Sequence, residues 1–148
     1  MQNPVEEEDR KWSRVSLRIA SSTIDPMKIG KQLGLEATKT HLKGSLRVAG
    51  HKDVWRSSLW LLNSPLSDQS DIADHLRYFL DLLEPRERVL NDLAKDCEID
   101  LFCGFSSGSG QGGFALDPPT LSRLAALRIP LVFDLYPPSV SPNSTGEE

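Results

Sequence analysis

The chain has 148 residues, 39% hydrophobic and 26% charged, with a formal net charge of −4. That suits one domain with a true core, leaves too little for two comfortable ones, and gives no overall basic excess of the kind a nucleic-acid binder carries. No apolar run reaches the length of a bilayer span, and two cysteines, Cys97 and Cys103, make no disulfide framework.

Residues 1–11 are polar, acidic and aperiodic, and are expected to form a flexible tail without the apolar stretch of a signal peptide, so the expected location is cytoplasmic. A first strand is expected over 12–20, where Val15, Leu17 and Ile19 alternate with Ser16, Arg18 and Ala20. Asp25 caps a first helix with Pro26 at its first position, Ile24 and Ile29 as a hydrophobic staple, and Gly34 as the stop. Residues 36–53 are polar and Gly-punctuated, a long loop or a loose edge hairpin. A second strand is expected over 54–62. A second helix, 68–83, carries the apolar stripe Ile72, Leu76, Phe79, Leu80 and Leu83. Glu84-Pro85 breaks it and starts a third over 85–96. A third strand follows over 98–105, then a Ser/Gly loop and a short strand at Phe114–Leu116. A fourth helix is capped by Asp117 and stapled by Leu116 and Leu121, and a last strand covers 130–136. Residues 137–148 are Pro/Ser-rich and expected to be disordered.

This pattern predicts a single α+β domain over 12–136. It is a two-layer sandwich of a mainly antiparallel sheet with helices on one face, in the order β-α-β-α-α-β-β-α-β, ferredoxin-like or duplicated ferredoxin-like. Ile24-Asp25-Pro26-x-x-Ile29 echoes Leu116-Asp117-Pro118-x-x-Leu121. Either the plan is duplicated or both segments use the common chemistry of a helix start, which is the favoured reading.

Charge is unevenly spread. Residues 10–56 hold 11 Lys/Arg against 3 acids, and residues 57–148 hold 6 against 14. An anionic partner for the basic half is one reading. Two halves lying side by side and neutralising each other is the favoured one, because the basic residues are scattered.

The Gly-rich stretch is the strongest candidate for chemistry. Gly108-x-Gly110-x-x-Gly113 follows a strand, as in dinucleotide sites, and Asp134 lies roughly where a ribose-binding acid would be expected. Such a site needs the helix to begin within the glycines, so that its free N–H groups meet the pyrophosphate. Here the helix begins later, behind the Asp117 carboxylate. No Gly-Lys-Ser/Thr follows for a P-loop, and Ser106, Ser107 and Ser109 have no local base. If the loop binds a small ligand, Ser107, Gly110, Gln111 and Gly112 are the candidate contacts. His41, His51, His75, Cys97 and Cys103 show no zinc-like pairing, and Asp68, Asp71 and Asp74 read as a solvated helix start. His75 is expected to pair with Asp71, one turn earlier. Trp12, Trp55 and Trp60 are read as core residues rather than as stacking platforms for nucleic acid.

Several short motifs in order resemble a known family. These are Val15-Ser16-Leu17-Arg18-Ile19, Leu33-Gly34-Leu35-Glu36-Ala37-Thr38-Lys39, Trp60-Leu61-Leu62-Asn63-Ser64-Pro65-Leu66, His75-Leu76, Leu83-Glu84-Pro85, Gln111-Gly112-Gly113-Phe114-Ala115-Leu116 and Phe133-Asp134-Leu135-Tyr136. Together they are similar to a bacterial family catalogued as a domain of unknown function, number 4279, over about 12–136. The resemblance implies a stand-alone bacterial cytosolic domain and no activity, cofactor or catalytic residue. The functional expectation is a non-catalytic protein-interaction module of immunity or regulatory type, with no cofactor, metal, nucleic acid or membrane partner. A small-ligand binder using the Gly-rich loop 104–113 is the first alternative, and an enzyme of unrecognised type the second.

Overall fold

A computed structural model describes residues 11–137; the two expected tails lie almost wholly outside them. The elements are β1 (Lys11–Ser21), α1 (Pro26–Leu33), β2 (Lys39–His41), β3 (Ser58–Asn63), α2 (Ile72–Leu83), a 3-10 turn (Glu84–Arg86), α3 (Glu87–Leu93), β4 (Glu98–Ser107), α4 (Pro118–Leu127) and β5 (Leu131–Tyr136). The sheet has five strands in the order β2-β3-β1-β4-β5. Three pairings are antiparallel, and β4 with β5 is parallel. The fold is the expected α+β type, an open sheet with helices on one face.

β1 is the central strand and sets both faces. Its odd residues Val15, Leu17 and Ile19 are almost fully buried, and by register they share a face with Trp60 of β3 and Leu101 and Cys103 of β4. Against them pack Ile29 and Leu33 of α1, Ile72, Leu76, Phe79, Leu80 and Leu83 of α2, Leu90 and Leu93 of α3, and Leu124 and Leu127 of α4. The even residues of β1 point to the other face, which no helix covers.

The helix starts behave as the sequence predicts. Asp25 accepts a hydrogen bond from the Met27 N–H at 2.8 Å, and Asp117 accepts from Thr120 at 2.9 Å. Gly34 ends α1 at φ 68°, a conformation glycine reaches without steric cost. The two Asp-Pro units are not copies. β1 and β3 around α1 are antiparallel neighbours, whereas β4 and β5 around α4 are parallel, so the echo is one of helix chemistry. The ferredoxin-like element is the β3-α2-α3-β4 segment: both strands run antiparallel to β1, one on each side of it, which makes a split βαβ unit.

Residues 36–53 take the second of the two expected forms, a loose edge hairpin, in which β2 pairs with β3 at the sheet edge. Three local expectations are corrected. Phe114–Leu116 is not a strand. Phe114 instead lies over the sheet end, stacked on Phe133 and edge-on to Phe105, each at 5.5 Å between centroids. The expected strand from Val54 begins only at Ser58. Val54 bridges Leu46, and Trp55 is turned out of the ladder to stack on His41 at 3.6 Å, with Arg47 over its other side at 4.6 Å. The proposed staple partner Leu121 is 48% exposed.

Phe79 is fully buried between α2 and the sheet, so Phe79→Ala is expected to cost about 3–5 kcal/mol, against about 0.5–2 kcal/mol for removing the cap in Asp117→Ala. Urea denaturation of the two variants measures both.

Candidate functional site

Two surfaces stand out. The first is the outer edge of β5. The Leu101 N–H bonds the Pro130 carbonyl, and the parallel register pairs Leu101 with Leu131 and Phe105 with Leu135. In a parallel ladder alternate residues turn their backbone groups toward the neighbour. The even residues of β5 therefore bond β4, and Leu131, Phe133 and Leu135 direct N–H and C=O outward, where no described strand pairs with them. Phe133 is 43% and Leu135 69% exposed, with Phe114 and Leu121 also exposed at this end of the helical layer. The usual protections of an edge, a lysine, a proline or a bulge within the strand, are missing from Leu-Val-Phe-Asp-Leu-Tyr.

The second surface is a cavity of about 470 Å³ on the helix-free face, lined among others by Trp12, Arg14, Asn63, Phe102, Gly104 and Tyr136. It exists because the register places outward-facing residues together: Arg14 opposite Gly104, Ser16 opposite Phe102 and Asn63, Gly104 opposite Asp134. Gly104 allows a close approach of the rings here. A Cβ at this position would meet Trp12 at 3.3 Å and Tyr136 at 3.5 Å. The two rings lie over it 5.0 Å apart. A hydrogen bond to Asp134 raises the Tyr136 pKa first, with burial and the Asp134 charge adding to it and Arg14 opposing.

The wall of the cavity is the 64–70 loop, sewn to β1. The Ser13 N–H donates to the Asp68 carbonyl at 2.8 Å and Ser64 N–H to the Val15 carbonyl at 2.9 Å. Behind it His75, 1% exposed, sets Nδ1 2.7 Å from Ser64 Oγ. This corrects the expected pairing with Asp71, whose own contact to His75 is a backbone helix bond. Burial is the main influence on His75 and lowers its pKa, against opposing contributions from the Ser13 backbone, Asp74, the Ser67 backbone and Asp68. Its Nε2 is buried with no partner at hydrogen-bond geometry. A neutral imidazole sealed in this way acts as a strut for the loop.

The four sequence candidates lie elsewhere. Ser107 Oγ donates to the Gln111 carbonyl, as does Ser109 Oγ at 2.9 Å, and Gly110 turns at φ 76°. A Cβ at Gly112 would meet Ser107 at 3.0 Å. The stretch thus folds onto itself. None of Ser107, Gly110, Gln111 and Gly112 lines the sheet-face cavity. The residues that do line it are scattered from Trp12 to Tyr136. The only sequence signal that could have found them is the period-two alternation of β1 and β4.

Residues 10–138 match the model of a family described as a domain of unknown function (DUF4279). The chain belongs to that family. The resemblance read from the short motifs is therefore borne out over most of the chain. Comparison with curated proteins found no match, and comparison with solved structures found none.

Among the described residues no group of His, Cys, Asp and Glu is arranged to hold a metal ion, and no helix is long and apolar enough to cross a membrane. Of the described ion pairs, Arg14–Asp68 at 3.9 Å and Arg18–Asp100 at 2.7 Å join the basic part of the chain to the acidic part. Arg47–Asp53 stays within the basic part, and Arg77–Asp74, Lys95–Asp92 and the Arg123 pairs stay within the acidic part.

The His75 environment predicts a pH dependence. A histidine held below its ordinary pKa binds its proton less readily folded than unfolded, so its contribution is complete above about pH 6.5 and is lost as the pH falls below that. Stability measured by denaturation from about pH 8 to about pH 5.5 should decline on the acid side, and His75→Gln should flatten that decline.

Proposed function

We propose that the chain is a protein-interaction module with no chemistry of its own, which takes an extended segment of another protein as an added strand on β5. The observation that carries this reading is the outer edge of β5. Three consecutive outward backbone positions belong to residues whose side chains, Leu131, Phe133 and Leu135, form an apolar row on the helical side. Main-chain hydrogen bonds would supply affinity, and pockets between alternate side chains would supply selectivity. A partner strand with apolar residues at alternate positions would extend the row onto Phe114 and Leu121. The Gly-rich loop supports a ligand-binding role less well, because the Ser107 and Ser109 hydroxyls are taken up by its own Gln111 carbonyl. A cytoplasmic location fits the two free cysteines, one of them buried with its thiol pKa pushed up to about 12 by desolvation.

A charged side chain on a recruited edge is costly, so Leu135→Lys is expected to reduce partner retention about tenfold or more. Leu42→Lys, on the polar excursion beyond β2, should leave it unchanged. Affinity capture from the native host, with both variants checked for an unchanged melting temperature, tests this. A stoichiometric protein retained by the wild type and by Leu42→Lys but lost with Leu135→Lys is the expected result. Equal capture by Leu135→Lys contradicts it.

A further inference from the structure

The cavity on the helix-free face carries a second inference, independent of the β5 edge. Its floor is apolar: the Trp12 and Tyr136 rings close over Gly104, inclined at 46° to each other, and Phe102 continues the surface, with the Arg18 guanidinium 4.2 Å from its centroid. Its polar rim is asymmetric. Arg18 is already satisfied by two hydrogen bonds of 2.7 Å to the Asp100 carboxylate, and its pKa is raised chiefly by them. Arg14 is differently placed. Its side chain is 52% exposed, and its nearest acid, Asp68, stands at 3.9 Å, beyond hydrogen-bond length. Asn63 uses its Oδ1 to accept from Ser16 Oγ at 2.6 Å, which leaves the two N–H donors of its amide without a partner among the described residues. A guanidinium and a primary amide, both donors, thus meet at the edge of an aromatic floor.

We infer that this cavity binds a small organic carboxylate with a flat apolar body. The carboxylate would take hydrogen bonds from Arg14 and Asn63, and the body would lie against Phe102 and Tyr136. Arg–carboxylate contacts are charge-assisted and suited to two-point recognition. The volume falls within the range of about 300–1,000 Å³ usual for small-molecule sites. One available cation with Asp68 beside it suits a monoanion and opposes a phosphate dianion. The same Asp68 sits where an ammonium group would be accepted. Two sources share the recognised carboxylate, plain aromatic acids and aromatic amino acids.

The test is titration of the ¹⁵N-labelled full chain with phenylacetate, phenylalanine and inorganic phosphate, followed by amide and side-chain shifts. Saturable shifts confined to Arg14, Asn63, Phe102, Gly104 and Tyr136 are expected with phenylacetate or phenylalanine at roughly millimolar concentrations, and none with phosphate. Arg14→Gln and, separately, Asn63→Asp should each weaken binding about tenfold or more, with melting temperatures unchanged. Asp68→Asn separates the two sources: it leaves or tightens phenylacetate binding if plain acids are the ligands, and weakens phenylalanine if amino acids are. Absence of saturable shifts at the cavity with both organic probes overturns the proposal. So does binding that survives both Arg14→Gln and Asn63→Asp, or phosphate producing the same shifts.

Discussion

The structure depends on the two-sided role of β1. It is paired with β4 along nearly its whole length and with β3 along its second half, and its alternation divides the molecule into a buried layer and an open one. A shift of one residue in its register would put Arg14, Ser16 and Arg18 against Phe79 and Leu80 and turn Val15, Leu17 and Ile19 to water. No local adjustment could repair that, because α1, α2, α3 and α4 all rest on the face those three residues help build. The central strand is therefore the element whose sequence leaves least freedom.

What remains outside this constraint is where recognition becomes possible. The helix-free face needs no large side chains for stability, so it can hold a glycine at the centre of a strand. Gly104 costs strand propensity and leaves room for two aromatic rings to close over the strand. The last strand is subject to a different freedom. β5 is joined to β4 by a parallel crossover through α4 and is bonded on one side only, so half its backbone groups face outward. Both surfaces follow from the same topology: a five-stranded sheet with one layer of helices leaves one face and two edges open. The β2 edge is three residues long and carries Lys39 and His41, whereas the β5 edge is longer and apolar.

Much of this was legible from the sequence, for reasons that can be named. The alternation of Val15, Leu17 and Ile19, the stripe from Ile72 to Leu83 and the caps at Asp25 and Asp117 are local signals with one physical reading each. Lys39-Thr40-His41 carries no such signal, and it pairs only because Leu59, Trp60 and Leu61 offer an edge. Val54-Trp55 and Phe114-Ala115-Leu116 look like strand, but their aromatic rings find better contacts out of the ladder, Trp55 between His41 and Arg47 and Phe114 on Phe133. The cavity was not legible, because Arg14, Asn63, Gly104 and Tyr136 meet only through register. The Gly-rich stretch stands out by composition, yet Ser107 and Ser109 bond the loop's own backbone. Similarly, His75 was matched to a neighbour one turn away, when the partner that fixes it arrives from the 64–70 loop.

The proposed docking of a partner strand requires the outer edge of β5 to be unpaired in the free protein. Residue-resolved amide hydrogen exchange on the isolated protein at low concentration tests this. The expected result is an alternating pattern along one strand, with slow exchange at Val132, Asp134 and Tyr136, which bond β4, and fast exchange at Phe133 and Leu135, which face outward. Uniform protection across all five would mean that the edge is already covered, and would contradict it.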